Sequence, residues 1–193
     1  MYDFDTDAVR KSLHSPSMIE DIESIIESLA RKMADAIVVS LTEAKVEQPL
    51  AVLSMIYRKV SNYVPNLEPM TLADMEDAIQ SWGEELNWEL LFLPNGSGIK
   101  VKKQGMEVLL NQLTQEMDSA ANYKLGTSML RRAAFLLTTG RLNGKIEVSE
   151  DFVAYAIDWE GEGHAFEQIL RDCGQKEDVI MEWKKKGWLY PTE

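Results

Sequence analysis

The chain is poor in the residues that most often build metal and redox sites. Among its 193 residues there is one cysteine, Cys173, and there are two histidines, His14 and His164. One thiol cannot form a disulfide within the chain, and it cannot supply all the ligands of a cysteine metal site. We therefore expect a reducing compartment, and we expect neither a metal ion nor another cofactor.

Long apolar runs are also absent. No uninterrupted apolar stretch approaches the roughly 20 residues that a helix needs to cross a bilayer. The first seven residues, MYDFDTD, are acidic and lack the basic and apolar regions of a signal peptide. The sequence thus predicts a cytoplasmic protein that does not bind membranes.

Lysine and arginine are outnumbered by acidic residues. The chain has 20 of them against 32 aspartates and glutamates, which gives a formal net charge of -12. The negative electrostatic field of such a protein repels nucleic acid and anionic lipid and attracts basic protein surfaces. The hydrophobic share of 45% is enough for a sizeable core. The composition indicates a folded protein with a basic protein partner and argues against direct binding to nucleic acid.

Motifs of common enzyme classes are missing as well. There is no G-x-S-x-G elbow and no glycine-rich dinucleotide fingerprint. The segment 140–145, GRLNGK, is one residue short of a phosphate loop, and Ile146 stands where a magnesium-binding hydroxyl is needed. A turn is the better interpretation of this segment.

Two small clusters contain groups of the kind that bind metals or act as nucleophiles. Glu160, Glu162 and His164 combine carboxylates with an imidazole, but their spacing matches no established zinc or two-metal arrangement. Cys173 could pair with His164, but its acidic neighbours favour the neutral thiol. We therefore predict no catalytic, cofactor-binding or metal-binding residue, and a protein that is not an enzyme.

A long amphipathic helix is the clearest element near the N-terminus. Ser17 and Glu20 have the spacing of a capping box, and apolar residues then recur with helical periodicity to about Ser40. Residues 1–17 are predicted to form an arm before this helix. Packing on the segment that follows is the expected use of the apolar stripe, and a homodimer through the same stripe is the alternative.

The segment 49–105 begins with two predicted helices. Apolar residues at helical spacing predict the first over 50–60. Thr71 can cap the second, and Asp74 lies three residues later near the positive end of the helix.

A hairpin is predicted to follow these helices. An apolar run over 88–93 suits a strand, the sequence PNGSG at 94–98 suits a turn, and residues 99–103 alternate between apolar and basic. Helix, turn, helix and wing in this order resemble the winged-helix superfamily. The resemblance implies a fold whose second helix, 71–86, enters a DNA groove.

That second helix carries charge of the wrong sign for reading DNA. It has no lysine or arginine, so groove insertion would bring its carboxylates against phosphates. Lys100, Lys102 and Lys103 could touch a backbone, but lysines at a sheet edge more often prevent edge pairing. We expect the helix to bind a protein partner through its acidic residues, which are Asp74, Glu76, Asp77, Glu84 and Glu85.

The rest of the chain is predicted to be helical. Ser149 is expected to cap one of the later helices. The predicted helices span 106–121, 127–139, 150–159, 165–172 and 175–185, with an extended piece at 145–148. The fold class is therefore mainly α with a small β-hairpin (α+β), in which a helical and winged-helix-like domain at 18–122 precedes a C-terminal acidic helical unit at 123–193.

The C-terminal unit is the most acidic part of the chain. From Glu147 to Glu182 there are eleven acidic residues, and the only basic ones are Arg171 and Lys176. Aromatic side chains among such charges are typical anchors of protein interfaces. We predict contact with a basic partner through Asp158, Trp159, Glu160, Glu162 and Trp183.

These patterns together predict a non-enzymatic adaptor or regulatory subunit that acts on a basic protein partner, with nucleic-acid-processing machinery as one setting. One alternative is an acidic inhibitor that imitates nucleic acid, as some phage-encoded proteins do. Another is a winged-helix regulator that binds DNA. Competition with nucleic acid distinguishes the first alternative, and a steep salt dependence of DNA binding distinguishes the second.

Overall fold

The computed structural model of the protein contains helices and strands in mixed order. It describes residues 16–58, 63–82, 98–103, 105–120, 124–142, 144–158, 166–186 and 189. Within these residues the helices are α1 (Pro16–Ala44), α2 (Leu72–Trp82), α3 (Glu107–Ala120), α4 (Lys124–Leu136), α5 (Phe166–Asp172) and α6 (Glu177–Lys185). The strands are β1 (Leu50–Tyr57), β2 (Asn66–Thr71), β3 (Ile99–Lys100) and β4 (Val148–Asp158). This mixture fits the α+β class that the sequence predicts.

One sheet joins the four strands in the order β3-β2-β1-β4. β1 runs antiparallel to β2 and parallel to β4, and β2 runs antiparallel to β3. A parallel pair requires a long crossover, and the chain between β1 and β4 includes α2, α3 and α4. β1, from before residue 122, and β4, from after it, therefore lie side by side in one sheet. The predicted division of the chain at 17/18 and at 122/123 stays a prediction.

The helix predicted over 50–60 is wrong, because residues 50–57 form β1. All the residues of this strand, LAVLSMIY, are buried. A strand that is covered on both faces is apolar throughout and shows no alternation. Helical spacing can be found in any such run, so periodicity alone does not separate a buried strand from a helix.

The helix predicted over 150–159 is wrong for the same reason. Residues 148–158 form β4, and Ser149 is the second residue of this strand rather than a helix cap. β4 pairs with β1 from Leu50 opposite Val148 to Tyr57 opposite Asp158. The sheet is therefore larger than the predicted hairpin.

Only part of the predicted winged-helix segment can be compared with the structure. The helix predicted from Thr71 is confirmed as α2. Of the predicted strand 99–103, residues Ile99 and Lys100 form β3. Residues 83–97, which include the strand predicted at 88–93 and most of the turn, lie outside the described residues. The winged-helix resemblance stays a prediction.

The other predicted helices are confirmed with small shifts of their ends. α1 buries its apolar stripe against α4 and α3, through residues that include Ile26, Leu29, Met33, Ile37 and Leu41. This stripe is therefore used within the chain, and the homodimer stays a prediction. In the part of the chain that is described, no helix is both long and apolar enough to cross a membrane.

Two arginines, one in α4 and one shortly after it, form ion pairs with acidic residues of α1. Arg132 binds Glu27 with an N–O distance of 2.9 Å, and Arg141 binds both carboxylate oxygens of Asp35 at 2.9 and 2.7 Å. Arg141 is the last residue of a π-helical turn, Leu137–Arg141, in which Gly140 has a φ of 129°. A side chain disfavours this backbone conformation, so glycine suits the position.

The two faces of the sheet are covered by different helices. Ser54 Oγ donates a 2.5 Å hydrogen bond to Tyr155 Oη, and the Tyr155 ring contacts Phe166 of α5. Tyr57, three residues beyond Ser54, points to the opposite face, where its hydroxyl lies 2.8 Å from Thr127 Oγ1 in α4. α4 therefore covers one face and α5 the other.

The contact between α4 and Tyr63 gives a test of this packing. A Cβ at Gly126 would overlap the Tyr63 ring. We expect Gly126→Ala to destabilise the protein by about 1–3 kcal/mol, because overpacking outweighs the gain of about 1 kcal/mol in helix propensity. Urea unfolding measures the change. Ser128→Ala, at an exposed position of the same helix, is the control and should be neutral or slightly stabilising. Equal stabilisation by both variants would contradict the packing.

Candidate functional site

A groove of about 260 Å³ lies between α2 and α6. We call it the α2–α6 groove. Its apolar lining comes from Ala51, Leu72, Met75, Val179 and Trp183. Its charged lining comes from Asp151, Asp178, Glu182 and Lys186. The groove therefore combines an apolar floor with a rim that is mainly acidic.

The α2 wall is fixed by a capping box at its first turn. The Thr71 amide donates a 2.7 Å hydrogen bond to Asp74 Oδ2, and the Asp74 amide donates one of 3.2 Å back to Thr71 Oγ1. These bonds satisfy amides that have no partner within the helix. The predicted cap is confirmed. It holds Leu72 and Met75, one turn apart, on the side of α2 that lines the groove.

The α6 wall presents a row of charged residues. Asp178, Glu182 and Lys186 are spaced four residues apart, so they lie along one side of the helix. Asp178 Oδ1 accepts a 2.9 Å hydrogen bond from the amide of Val179. Glu182 Oε1 lies 3.6 Å from Lys186 Nζ. This order places the carboxylates at the start and middle of α6 and the cation at its end.

Buried aromatic residues connect the groove floor to the sheet. Trp183 is only 5% exposed, and its ring centroid lies 6.5 Å from that of Phe166. Phe166 in turn meets Tyr155 edge-on at 4.9 Å. Burial raises the pKa of the Tyr155 hydroxyl, and the hydrogen bond with Ser54 opposes this rise only in part. The Tyr155 hydroxyl is therefore uncharged where it lies under Phe166.

An ion-pair network holds α5 and α6 together on the side away from the groove. Arg171 binds Glu167 at 2.5 Å and Glu177 at 2.7 Å, and Lys184 binds Glu167 at 3.1 Å. Hydrogen bonds from Arg171 and then from Lys184 lower the pKa of the Glu167 carboxyl. The bond to Arg171 lowers the pKa of Glu177 in the same way. These contacts fix the position of α6, and with it the acidic rim.

This network predicts how stability depends on pH. Because the folded state lowers the pKa of Glu167, the stabilisation is complete above its unfolded pKa and is lost as pH falls through the folded pKa. We expect Glu167→Gln to lower the free energy of unfolding by about 1 kcal/mol at pH 7, since exposed ion pairs contribute roughly 0.2–1 kcal/mol each.

Denaturant unfolding at pH 7 and at about pH 3 checks this expectation. The difference between Glu167→Gln and the native protein should shrink at the lower pH. Glu150→Gln removes an exposed carboxylate at the start of β4 and serves as the control. A difference that is constant with pH would show that the ion pairs are not its source.

The structure separates the residues predicted to bind a partner. Trp183 lines the groove. Asp74, Glu76 and Asp77 are exposed on α2 but do not line it. Asp158 is 5% exposed at the far end of β4 from Asp151. The remaining predicted residues, Glu84, Glu85, Trp159, Glu160 and Glu162, lie outside the described residues.

Several groove residues were not predicted from the sequence. Asp178 and Glu182 belong to the acidic stretch, and their four-residue spacing next to Trp183 could have identified them. Asp151 could not be found, because its segment was assigned to a helix. Leu72 was not among the predicted site residues either, and it is 51% exposed at the start of α2.

A second cavity of about 410 Å³ lies on the other side of the start of α2. Thr71 and Asp74 line it, together with Lys45 and Glu47 from the segment after α1. Its lining has two acidic residues and one lysine, against three acidic residues and one lysine in the α2–α6 groove, and it includes no aromatic residue. The α2–α6 groove is the better candidate for a site that selects a partner by charge.

Cys173 is buried, in agreement with the unreactive thiol that the sequence predicts. Burial raises its pKa to about 12, and a hydrogen bond with the backbone of Ala156 opposes this only partly. His164, its suggested partner, lies outside the described residues. Across the described residues no three histidine, cysteine, aspartate or glutamate side chains are grouped so that they could hold a metal ion.

The thiol can be tested directly. At pH 8 a pKa of about 12 leaves a thiolate fraction on the order of one in ten thousand. We expect Ellman's reagent to react with Cys173 only after the protein unfolds, and protein in guanidinium chloride gives the reference of one thiol per chain. Reaction of the native protein at the rate of a free thiol would contradict the burial.

Comparison of the chain with protein-family models, with curated proteins and with solved structures gave no match.

Proposed function

We propose that this protein is a non-enzymatic adaptor or regulatory subunit of the cytoplasm, which binds a basic protein partner through the α2–α6 groove. The observation that supports this best is the arrangement of Asp151, Asp178 and Glu182 around an apolar floor that includes Trp183. A cationic partner side chain would meet the rim while an apolar neighbour enters the floor. Charge then guides the encounter, and apolar contact stabilises the complex.

The carboxylates of the groove differ from those that serve the fold. Elsewhere, arginines bind Glu27, Asp35 and Asp172 at distances of 2.6 to 2.9 Å. At the groove, Glu182 and Lys186 are 3.6 Å apart, and both side chains are nearly half exposed. Asp151 and Asp178 are exposed too. A partner cation can therefore approach the rim without breaking a short ion pair between helices.

The floor supplies the apolar part of the contact. Leu72 is half exposed, so a partner can remove further apolar surface from water there. Trp183 is 5% exposed and already packed against Phe166, so it holds the floor in place and loses little freedom on binding. The exposed acids of α2, among them Glu76 and Asp77, extend the negative field beside the groove.

Binding of a basic peptide tests this proposal. The probe is a fluorescent peptide with blocked ends and the sequence Lys-Lys-Leu-Lys-Lys. The variant Asp151→Asn/Asp178→Asn should weaken binding about two- to tenfold at about 0.15 M salt, because contacts between exposed charges are each worth roughly 0.2–1 kcal/mol. Fluorescence polarisation measures the affinity.

The control variant removes the same charge elsewhere. Glu23→Gln/Asp118→Asn neutralises two exposed acids on α1 and α3, outside the groove. It should leave the affinity nearly unchanged. Equal weakening by both double variants would mean that the peptide senses only net charge, and the groove would lose its proposed role.

The alternative functions give different results. An inhibitor that imitates nucleic acid should be displaced from its partner by duplex DNA or RNA, whereas an adaptor should form a ternary complex. A winged-helix regulator should bind labelled duplex DNA directly, with an affinity that falls steeply with salt. Exposed acids on α2 disfavour this last outcome, because they would face the phosphates.

A further inference from the structure

The charge of the α2–α6 groove is uneven along its length. Asp178 lies in the first turn of α6, and Lys186 follows the last residue of that helix. At about 1.5 Å per residue, these two positions are about 12 Å apart along the helix axis. The α6 wall therefore begins with a carboxylate and ends with an ammonium group.

The backbone of Lys186 is fixed at the end of the groove. Its amide donates a 3.0 Å hydrogen bond to the carbonyl of Glu182, which completes the last turn of α6. Its ammonium lies 3.6 Å from the Glu182 carboxylate and is not buried, since the Lys186 side chain is 45% exposed. Lys186 thus offsets Glu182 locally, and the remaining negative charge is that of Asp151 and Asp178.

We infer that the groove selects a short, extended protein segment with a basic residue at one end, an apolar residue in the middle and an acidic residue at the other end. This inference rests on the proposed function and adds the charge pattern of the partner. The basic residue would lie by Asp178, the apolar residue over Leu72, and the acidic residue by Lys186.

The spacing in the partner follows from the length of the groove. An extended chain advances about 3.3–3.6 Å per residue, so about 12 Å corresponds to two charges that are three or four positions apart, with two or three residues between them. A segment with basic residues at both ends would place a cation against Lys186. Like charges in contact select against the wrong partner, so this end of the groove determines specificity.

Three labelled peptides with blocked ends test the inference. Two carry opposite charges, Lys-Gly-Leu-Gly-Glu and Glu-Gly-Leu-Gly-Lys, because either chain direction can satisfy the groove. The third, Lys-Gly-Leu-Gly-Lys, is basic at both ends. Fluorescence polarisation should show that the native protein binds the better mixed peptide more tightly than the dibasic one.

Reversing one charge should reverse this preference. In Lys186→Glu the dibasic peptide should become the tighter ligand, with the ratio of the two affinities changing about fivefold or more, as expected for exposed charge contacts. Lys185→Glu is the matched control, because Lys185 is exposed on α6 but does not line the groove. It makes the same change in net charge and should leave the order of the peptides unaltered.

Each failure has a distinct meaning. If the dibasic peptide binds best to the native protein and Lys186→Glu does not alter the ratio, the inference is wrong while the groove remains a site for basic ligands. If Lys185→Glu changes the ratio as much as Lys186→Glu, net charge rather than the end of the groove is responsible, and the inference also fails. If none of the peptides binds, or if Asp151→Asn/Asp178→Asn leaves their affinities unchanged, both the inference and the proposed function fail.

Discussion

The parallel pairing of β1 with β4 is the contact on which the rest of the structure depends. It joins residues about a hundred positions apart, from Leu50 opposite Val148 to Tyr57 opposite Asp158. β1 pairs with β2, which is followed in the chain by α2, whereas β4 is followed by α5 and α6. The hydrogen bond between Ser54 and Tyr155 crosses this pair beneath Phe166. Without the pairing, the two walls of the α2–α6 groove would not meet.

Sequence patterns predicted the helices well, because their burial is one-sided. The stripe of α1 and the cap formed by Thr71 and Asp74 are local signals that tertiary structure did not override. The strands β1 and β4 carry no such signal, since both of their faces are covered and residues 50–57 and 152–158 are all buried. A run of this kind fits a helix or a strand equally well until its neighbours are known.

The candidate site was predictable only where one element supplied it. The acidic stretch with Trp183 indicated α6, because Asp178 and Glu182 are neighbours on one helix. Asp151 reaches the groove through the register of β4, and Leu72 through the placement of α2 on the sheet. These positions depend on contacts between distant segments, which composition and periodicity do not encode. Conversely, Asp158 is acidic in sequence but buried in the folded chain.

Net charge by itself overstates how much of this surface is available to a partner. Arg132, Arg141 and Arg131 hold Glu27, Asp35 and Asp172, so these acids join helices to one another. The pKa of Glu27 is lowered chiefly by its hydrogen bond with Arg132, as expected for a carboxylate that serves the fold. A partner would have to compete with these short bonds. The groove acids instead border apolar surface that is partly open to water, and there a cation with an apolar neighbour gains contacts without disrupting the packing of the helices.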